Sequence, residues 1–452
     1  MGGFFSSLGA AANALRVFEK ALTVTENNVA NASTPGYARQ SLYLEARPFS
    51  LDLGLTGGVE AGQLQSARQE YAEQAVRTRQ SSYSRSDELA AELTRIEDLF
   101  DVSGEAGIPG SLTELFESIS AWSLAPNDTV VRQTVLERAR SLASRFQETA
   151  TALRDASFRT SAQIQNTVNR INDLVAQVRE LNVAYREDIR NREDPSLDAR
   201  LHNTLEELAE YVDFTALRQQ DGSVMILLGG QTALVVGDQQ LEISADTSGA
   251  EAVVKDAYGR DITGQISQGR LAATLEFRNQ LIPQLLSGLN RLAAAIADRF
   301  NAMLAAGLDR NGQPGAALFT YESAETAAAT LEVTDISPDE LAAATAAAPS
   351  GNGNALDLLA LADSPELDGF TFTGFYATLA RQVGSALEDV RQDSAQQEQL
   401  LMQARYLREQ ASGVSLDEEA MHLLQFQRSY QAAAKMIQVI DGLLDTLLGL
   451  VR

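Results

Sequence analysis

Two apolar stripes, one at each end of the chain, constrain its fold more than any other feature. Near the C terminus apolar side chains recur at alternating steps of three and four, at Leu423, Phe426, Tyr430, Ala433, Ile437, Ile440, Leu444, Leu447 and Val451. The N terminus repeats the pattern at Phe4, Leu8, Ala11, Leu15, Phe18, Leu22, Thr25 and Val29. This is the heptad spacing of coiled coils. The sequence therefore predicts that the N- and C-terminal helices form a coiled coil with each other.

The C-terminal helix also carries a clear start signal. Gly413 interrupts the preceding helical pattern, Ser415 can cap the new helix, and Glu418 stands three residues later, as a capping box requires. An ordinary helical bundle, in which the first and last helices happen to be neighbours, explains the same periodicity. Both interpretations stay open on the pattern alone.

Between the stripes the chain alternates long helical patterns with a small β-rich stretch. One helical pattern runs from about residue 128 to residue 190, with Asn182 as a polar interruption of its apolar side, and Asp194-Pro195 starts another. Short strand-like runs at 224–228, 233–236 and 241–243 are separated by glycine-containing turns. These patterns predict a mainly α fold with a small β-rich insertion (α+β), in which long-helix domains are nested around a central β piece.

Three domains follow from this layout. We expect a terminal coiled-coil assembly domain from 1–62 plus 412–452, and a discontinuous long-helix domain from 63–212 plus 265–411. The third is a small β-rich domain at 213–264, either alone or together with part of 308–354.

Composition excludes several classes of function. The 452 residues contain 61 acidic and 36 basic side chains, a net charge of −25, which argues against nucleic acid and anionic membranes as partners. Cysteine is absent, so thiolate metal sites and cysteine catalysis are excluded. Neither His202 nor His422 has the neighbours of a catalytic base, and the turn at Asp309 lacks the ligand set of a calcium loop. We expect no catalytic residue, no cofactor and no metal.

Two motifs at opposite ends of the chain carry a family resemblance. Residues 27–40 read NNVANASTPGYARQ, and residues 412–419 and 427–435 read SGVSLDEE and QRSYQAAAK. They resemble the terminal signatures of bacterial flagellar axial proteins, the family of rod, hook and hook-associated proteins. The residues that match the family motifs are Asn28, Asn31, Thr34, Pro35, Gly36, Tyr37, Gly413, Leu416, Glu418 and Tyr430.

The segment 300–315, FNAMLAAGLDRNGQPG, is similar to the hook-associated members of this family, which join the hook to the filament. The resemblance implies a non-enzymatic structural subunit that assembles helically through its terminal helices. The expected assembly interface is then Leu8, Leu15, Phe18, Leu22, Val29, Leu423, Phe426, Tyr430, Ile437, Ile440, Leu444 and Leu447.

The resemblance further implies copies of the same chain, the hook protein, a second hook-associated protein and a type III export chaperone as partners. It implies an extracellular location in the flagellum, reached by export without a cleaved signal peptide. Two alternatives remain: another axial protein of the hook or distal rod, and an extracellular enzyme or binding module carried on an axial scaffold.

Overall fold

The computed structural model describes the backbone of residues 2–50, 55–100 and 107–450, and the side chains of 5–50, 56–100 and 107–446. Long helices dominate, and short antiparallel strands lie between them, so the predicted mainly α fold with a small β-rich insertion is confirmed. None of the described helices combines the length and the apolar character needed to cross a membrane.

The helices, in chain order, are α1 (Gly2–Ala30), α2 (Glu70–Glu97), α3 (Gly107–Leu124), α4 (Thr129–Glu187), α5 (Pro195–Tyr211), α6 (Gly269–Glu276), α7 (Ile282–Ala306), α8 (Ala327–Thr330), α9 (Gly353–Ala360), α10 (Phe372–Ser412) and α11 (Leu416–Leu450). A single π-helical turn, Phe277–Leu281, joins α6 to α7.

The strands are β1 (Gln40–Ala46), β2 (Phe49–Ser50), β3 (Leu55–Thr56), β4 (Val59–Ser66), β5 (Phe214–Arg218), β6 (Val224–Leu228), β7 (Thr232–Val236), β8 (Gln239–Gln240), β9 (Ser244–Asp246), β10 (Val253–Lys255), β11 (Phe319–Thr320) and β12 (Glu332–Val333). Strands β5 to β8 form an antiparallel meander, and β1 pairs with β4, β2 with β3, β9 with β10 and β11 with β12.

Local sequence signals explain where the long helices begin. The carboxylate of Asp128 accepts the N–H of Val130 at 2.8 Å before α4, and Asp194 accepts the N–H of Ser196 at 2.8 Å before α5. Helix α4 spans 59 residues, close to the predicted 128–190. The strand predicted at 241–243 is wrong. The ladder ends at Gln240, and only the N–H of Leu241 continues toward the carbonyl of Leu234, at 2.8 Å.

The contacts divide the chain into two compact units. Unit 1 collects residues 1–83, 170–242 and 397–452, and unit 2 collects 84–169 and 243–396. Both units are therefore discontinuous, and α2, α4 and α10 each supply residues to both. The three domains expected from the sequence stay a prediction. The contact-based units place residues 213–242 with the terminal segments and residues 243–264 with the other unit.

Unit 1 contains the terminal helices and the β5–β8 meander. Helix α1 contacts α11 and also the β1–β4 hairpin. Asn182, fully buried on α4, fastens the meander: its Oδ1 accepts the N–H of Val224 at 2.7 Å, and its Nδ2 donates to the carbonyls of Val224 and Gly237, each at 2.8 Å. The polar residue that interrupts the apolar side of α4 thus binds the β5–β8 meander through its hydrogen bonds.

Unit 2 holds an extensive apolar core. Helices α3, α7 and α9 pack together with the first part of α4 around buried aromatic side chains. Phe300 lies at their centre, with ring centroids 5.8 Å from Phe116 and 5.9 Å from Phe319. Arg132 is buried beside this core and donates to the carbonyls of Pro126 and Leu341, at 2.6 and 2.7 Å.

Candidate assembly interface

The terminal helices α1 and α11 pair in opposite directions. Asn28, near the end of α1, contacts Glu419, near the start of α11. About two helical turns away on each helix, Ala21 of α1 and Phe426 of α11 line the same cavity. The most deeply buried apolar side chains of α1 are small, namely Ala11, Val17 and Ala21. Small side chains therefore fill the centre of the α1 contact surface, and the larger apolar side chains of α1 are only partly covered.

The expected interface residues lie mostly along those margins. Leu8, Leu15, Phe18, Leu22, Leu423, Phe426, Ile437 and Leu444 are half-buried, and Ile440 is buried. Val29 and Tyr430 are exposed, and the side chain of Leu447 lies outside the described residues. The line of deepest burial on α1 runs beside the expected stripe because the helix is covered by α11 on one side and by the β1–β4 hairpin on another.

Helix α11 also carries a second apolar face. Leu424, Met436, Val439 and Leu443 are each about half exposed, with relative accessibilities of 53, 57, 54 and 47%. At 100° per residue, Leu424 and Val439 point away from the side that packs on α1, whereas Met436 and Leu443 flank that side. Their exposure makes this part of α11 a candidate contact surface.

A buried polar cluster, here called the clamp, joins the start of α11 to the end of α1. Asn28 is 1% exposed and Glu419 is 2% exposed. The amide of Asn28 donates to Glu419 Oε2 at 3.0 Å and to the carbonyl of Gln40 at 2.8 Å. Its Oδ1 accepts the Gln40 N–H and the Tyr37 hydroxyl, each at 2.9 Å. The carboxamide of Asn28 therefore has all its hydrogen bonds satisfied.

Arg39 completes the clamp from the strand side. Its Nε donates to Glu419 Oε1 at 2.7 Å, its Nη1 lies 3.2 Å from Glu418 Oε2, and its N–H donates to the carbonyl of Ser412 at 2.9 Å. Burial, followed by the nearby charge of Glu419, raises the pKa of Tyr37 to about 12. Tyr37 is therefore a neutral donor at physiological pH.

The other residues of the N-terminal motif hold the loop after α1 in its conformation. Asn31 Nδ2 donates to the Asn27 carbonyl at 3.0 Å, and Thr34 Oγ1 donates to Asn31 Oδ1 at 3.2 Å. Gly36 has φ +70°, and a Cβ there would lie 2.1 Å from Asn203 Oδ1. Asn203 Nδ2 in turn donates to the Pro35 carbonyl at 2.9 Å. Glycine is required because the loop lies directly against α5.

The C-terminal motif shapes the turn between α10 and α11. A Cβ at Gly413 would lie 2.4 Å from the carbonyl oxygen of Glu409, so only glycine fits this close turn. Glu418 is exposed and pairs with Arg39, while Leu416 and Tyr430 are exposed. Sequence reasoning selected Glu418 and missed Glu419. Its position on the helix was the signal that could have found it: Glu419 lies one helical turn before Leu423, on the face that packs on α1.

A largely buried charge network in unit 1 contacts the loop after α1, where Arg68 donates to the Gly36 carbonyl. Arg68 pairs with Glu73 and, at 2.6 Å, with Asp198, and Arg408 Nη1 lies 2.5 Å from Glu206. His202 lies among these groups, and burial, followed by the charge of Arg68, holds its pKa well below 6.5. Each carboxylate of the network contacts at least one arginine.

The arrangement of the titratable side chains also bears on whether the chain can hold a metal ion. Among the residues that the structure describes, no group of three or more histidine, aspartate or glutamate side chains is placed to hold a metal ion. Asp309, at the calcium-like turn, instead accepts the N–H groups of Asn311 and Gln313, each at 2.7 Å. The ring of His422 stacks on Phe426 with centroids 5.9 Å apart.

Comparison with known proteins assigns these features to one family. Residues 93–319 match the model of the flagellar hook-associated protein FlgK helical domain. Residues 405–450 match the C-terminal model of flagellar basal body rod FlgEFG proteins.

Two relatives named flagellar hook-associated protein 1 align along nearly the whole chain. The protein from Bacillus subtilis (strain 168) is 26% identical, over 98% of this chain and 97% of its own length. The protein from Salmonella typhimurium is 23% identical, over 98% of this chain and 100% of its own length.

A solved structure shares the fold. It is the flagellar hook junction protein FlgK from Burkholderia pseudomallei, which superposes with a TM-score of 0.67 at 16% identity, over 76% of this chain and 100% of that chain. Since the FlgK model spans half of the sequence and the relatives align along almost all of it, the chain belongs to the flagellar hook-associated protein FlgK family.

Proposed function

We propose that the chain is a structural subunit at the junction between hook and filament of a bacterial flagellum. In this role it assembles helically with copies of itself through its terminal helices. The family is structural, and its relatives carry the name hook-associated protein. The proposed activity is mechanical joining, with no enzymatic step.

The observation that carries this proposal is the two-faced helix α11. One side packs on α1, while Leu424, Met436, Val439 and Leu443 stay exposed around the rest of the helix. An open helical array needs heterologous contacts, in which each subunit offers two different surfaces that do not close on themselves. The α1–α11 pair has one surface for its own chain and a second for the next copy.

The proposed partners follow from this position. The hook protein lies on one side of the junction and a second hook-associated protein on the other, and a type III export chaperone holds the chain before assembly. We propose an extracellular location in the flagellum, reached by export without a cleaved signal peptide. With a net charge of −25, the chain is proposed to bind neither nucleic acid nor a membrane.

A deletion strain separates the junction role from the other axial roles. Loss of a junction protein leaves complete hooks without filaments and releases flagellin into the medium, because the first filament subunits have no base. Loss of a hook or distal rod protein leaves no complete hook. Electron microscopy of the cell surface and an immunoblot of the medium distinguish these outcomes. Filaments of normal number in the deletion strain would contradict the proposal.

A point variant tests the terminal interface itself. Ile440 is 8% exposed in the packed face of α11, so Ile440→Asp buries a carboxylate without a partner, at a cost of several kcal/mol. We expect the protein to be exported and the hooks to be normal, but filaments to be missing. Gln438→Asp adds the same carboxylate to an exposed position of the same helix and should leave filaments intact. Normal swimming of the Ile440→Asp strain would refute the role of this helix.

A further inference from the structure

The apolar pattern of α11 does not by itself decide which face packs on α1. The packed face holds Leu423, Phe426, Ile437, Ile440 and Leu444, and the exposed face holds Leu424, Met436, Val439 and Leu443. Both sets include large apolar side chains, so apolar burial alone does not define a unique orientation of α11. The most deeply buried apolar side chains of α1 are small, Ala11 and Ala21 among them, and impose little shape on the helix that packs over them.

The clamp, in contrast, is satisfied in one orientation only. Glu419 lies on the packed face, one turn before Leu423, where its two oxygens accept from Asn28 and Arg39 at 3.0 and 2.7 Å. Rolling α11 to its other face would carry this carboxylate away. The buried amide of Asn28 would then lose an acceptor, and a buried donor without a partner is strongly unfavourable.

We propose that Asn28 and Glu419 are positioning residues that select the face of α11 that packs on α1. By holding one apolar face inward, the pair keeps the other face outward. The device resembles the single buried polar residue that fixes register and partner in a coiled coil, at some cost in stability. The inference goes beyond the proposed function because it concerns pairing within one chain, and the two can fail independently.

Paired cysteines provide the test, because the natural chain has none. Val24, which is half-buried, and Phe426 line one cavity, so Val24→Cys with Phe426→Cys reports the packed face. Val24→Cys with Leu424→Cys reports the other side of the helix at nearly the same height. Each pair is treated with a short bis-maleimide in dilute full-length monomer, and the rate of intramolecular cross-linking is measured. We expect the first pair to react at least about tenfold faster than the second.

In the Asn28→Leu, Glu419→Leu background both polar partners become apolar, and we expect the two rates to come within about threefold of each other. Thr25→Val is the matched control. Its buried hydroxyl donates to the Ala21 carbonyl within the same helix, so the parent ratio should persist. A parent ratio near one, or a parent-like ratio in the double variant, would overturn the proposal. Loss of both cross-links in a double variant that retains its helical circular dichroism would do so too, because the clamp would then create the pairing rather than orient it.

A milder pair of variants keeps the test decisive if the double variant does not fold. Arg39 is partly exposed and holds Glu419 at 2.7 Å. Arg39→Met should lower the cross-linking ratio below that of the parent, whereas Arg39→Lys, which keeps a positive charge within reach of the carboxylate, should retain most of it. Equal ratios in Arg39→Met and the parent would count against the clamp.

Discussion

Replacement of Gly36 by alanine tests whether the N-terminal motif is dictated by close packing on α5. The residue has φ +70°, and an L-amino acid in this region costs about 1–2 kcal/mol. The added Cβ would also lie 2.1 Å from Asn203 Oδ1 and 2.9 Å from the Ala199 carbonyl. Displacing Asn203 removes its hydrogen bond to Pro35, worth about 1 kcal/mol. We therefore expect Gly36→Ala to lower local stability by about 2–3 kcal/mol.

The assay is native-state amide hydrogen exchange of α5 and of the loop before β1, which reads local free energy without assuming a single unfolding step. Gly230→Ala, in the turn between β6 and β7 and followed through the exchange of those two strands, is the matched control. It has φ +73°, but no atom within 4 Å of the added Cβ, so it should cost only the backbone part, about 1–2 kcal/mol. In an Asn203→Ala background the Gly36→Ala change should cost less than in the parent, because the two positions are in contact.

Two results would refute this reasoning. If Gly36→Ala and Gly230→Ala cost the same, the close approach to α5 contributes nothing. If the Gly36→Ala cost is unchanged in the Asn203→Ala background, the clash with that side chain is not its source.

Further predictions concern α1 and the titrating groups of unit 1. Gly9 is in the interior of α1 with nothing within 4 Å of an added Cβ, so Gly9→Ala should stabilise the helix by up to about 1 kcal/mol and slow its amide exchange; faster exchange would contradict this. Burial alone would raise the pKa of Glu206, but its hydrogen bond and ion pair with Arg408 hold that pKa below 4.5. Because the folded state lowers this carboxylate pKa, the stability it contributes is lost as pH falls below 4.5. Exchange of α5 should therefore accelerate in acid more in the parent than in Glu206→Gln; parallel pH profiles would argue against the ion pair. The buried His202, with a pKa well below 6.5, should show no titration of its ring NMR signal between pH 7 and 6, the signal being assigned with His202→Gln. The pKa of Tyr37, raised to about 12, should appear in the alkaline absorbance difference between the parent and Tyr37→Phe, and stability should fall as pH rises from 10 toward 12.

The sequence predicted well those features that depend on spacing along the chain. Helix α4 and the capped start of α5 follow from local signals that tertiary contacts do not override. Periodicity could not show that α1 is covered on two sides, so it did not separate Val17, which is buried, from Phe18, which is half-buried. Nor could it separate Tyr430, which is exposed, from Ala433, which is buried.

Buried polar residues were the harder part of the prediction. Asn182 and Glu419 break the rule that apolar residues point inward, because each is satisfied by partners far away in sequence. Asn182 was noticed because it interrupts a stripe. Glu419 was overlooked because acidic residues are usual in the first turn of a helix, where they are ordinarily exposed.

The clamp also sets an order of events in folding. Asn28 and Glu419 are separated by 391 positions, so nearly the whole chain must be present before they can meet. Contacts between such distant positions are slow to form because a large loop must close first. Unit 1 can therefore be completed only after the final helix is available, however early α1 itself has formed. A chain truncated before α11 would leave both Asn28 and Arg39 without their acidic partner.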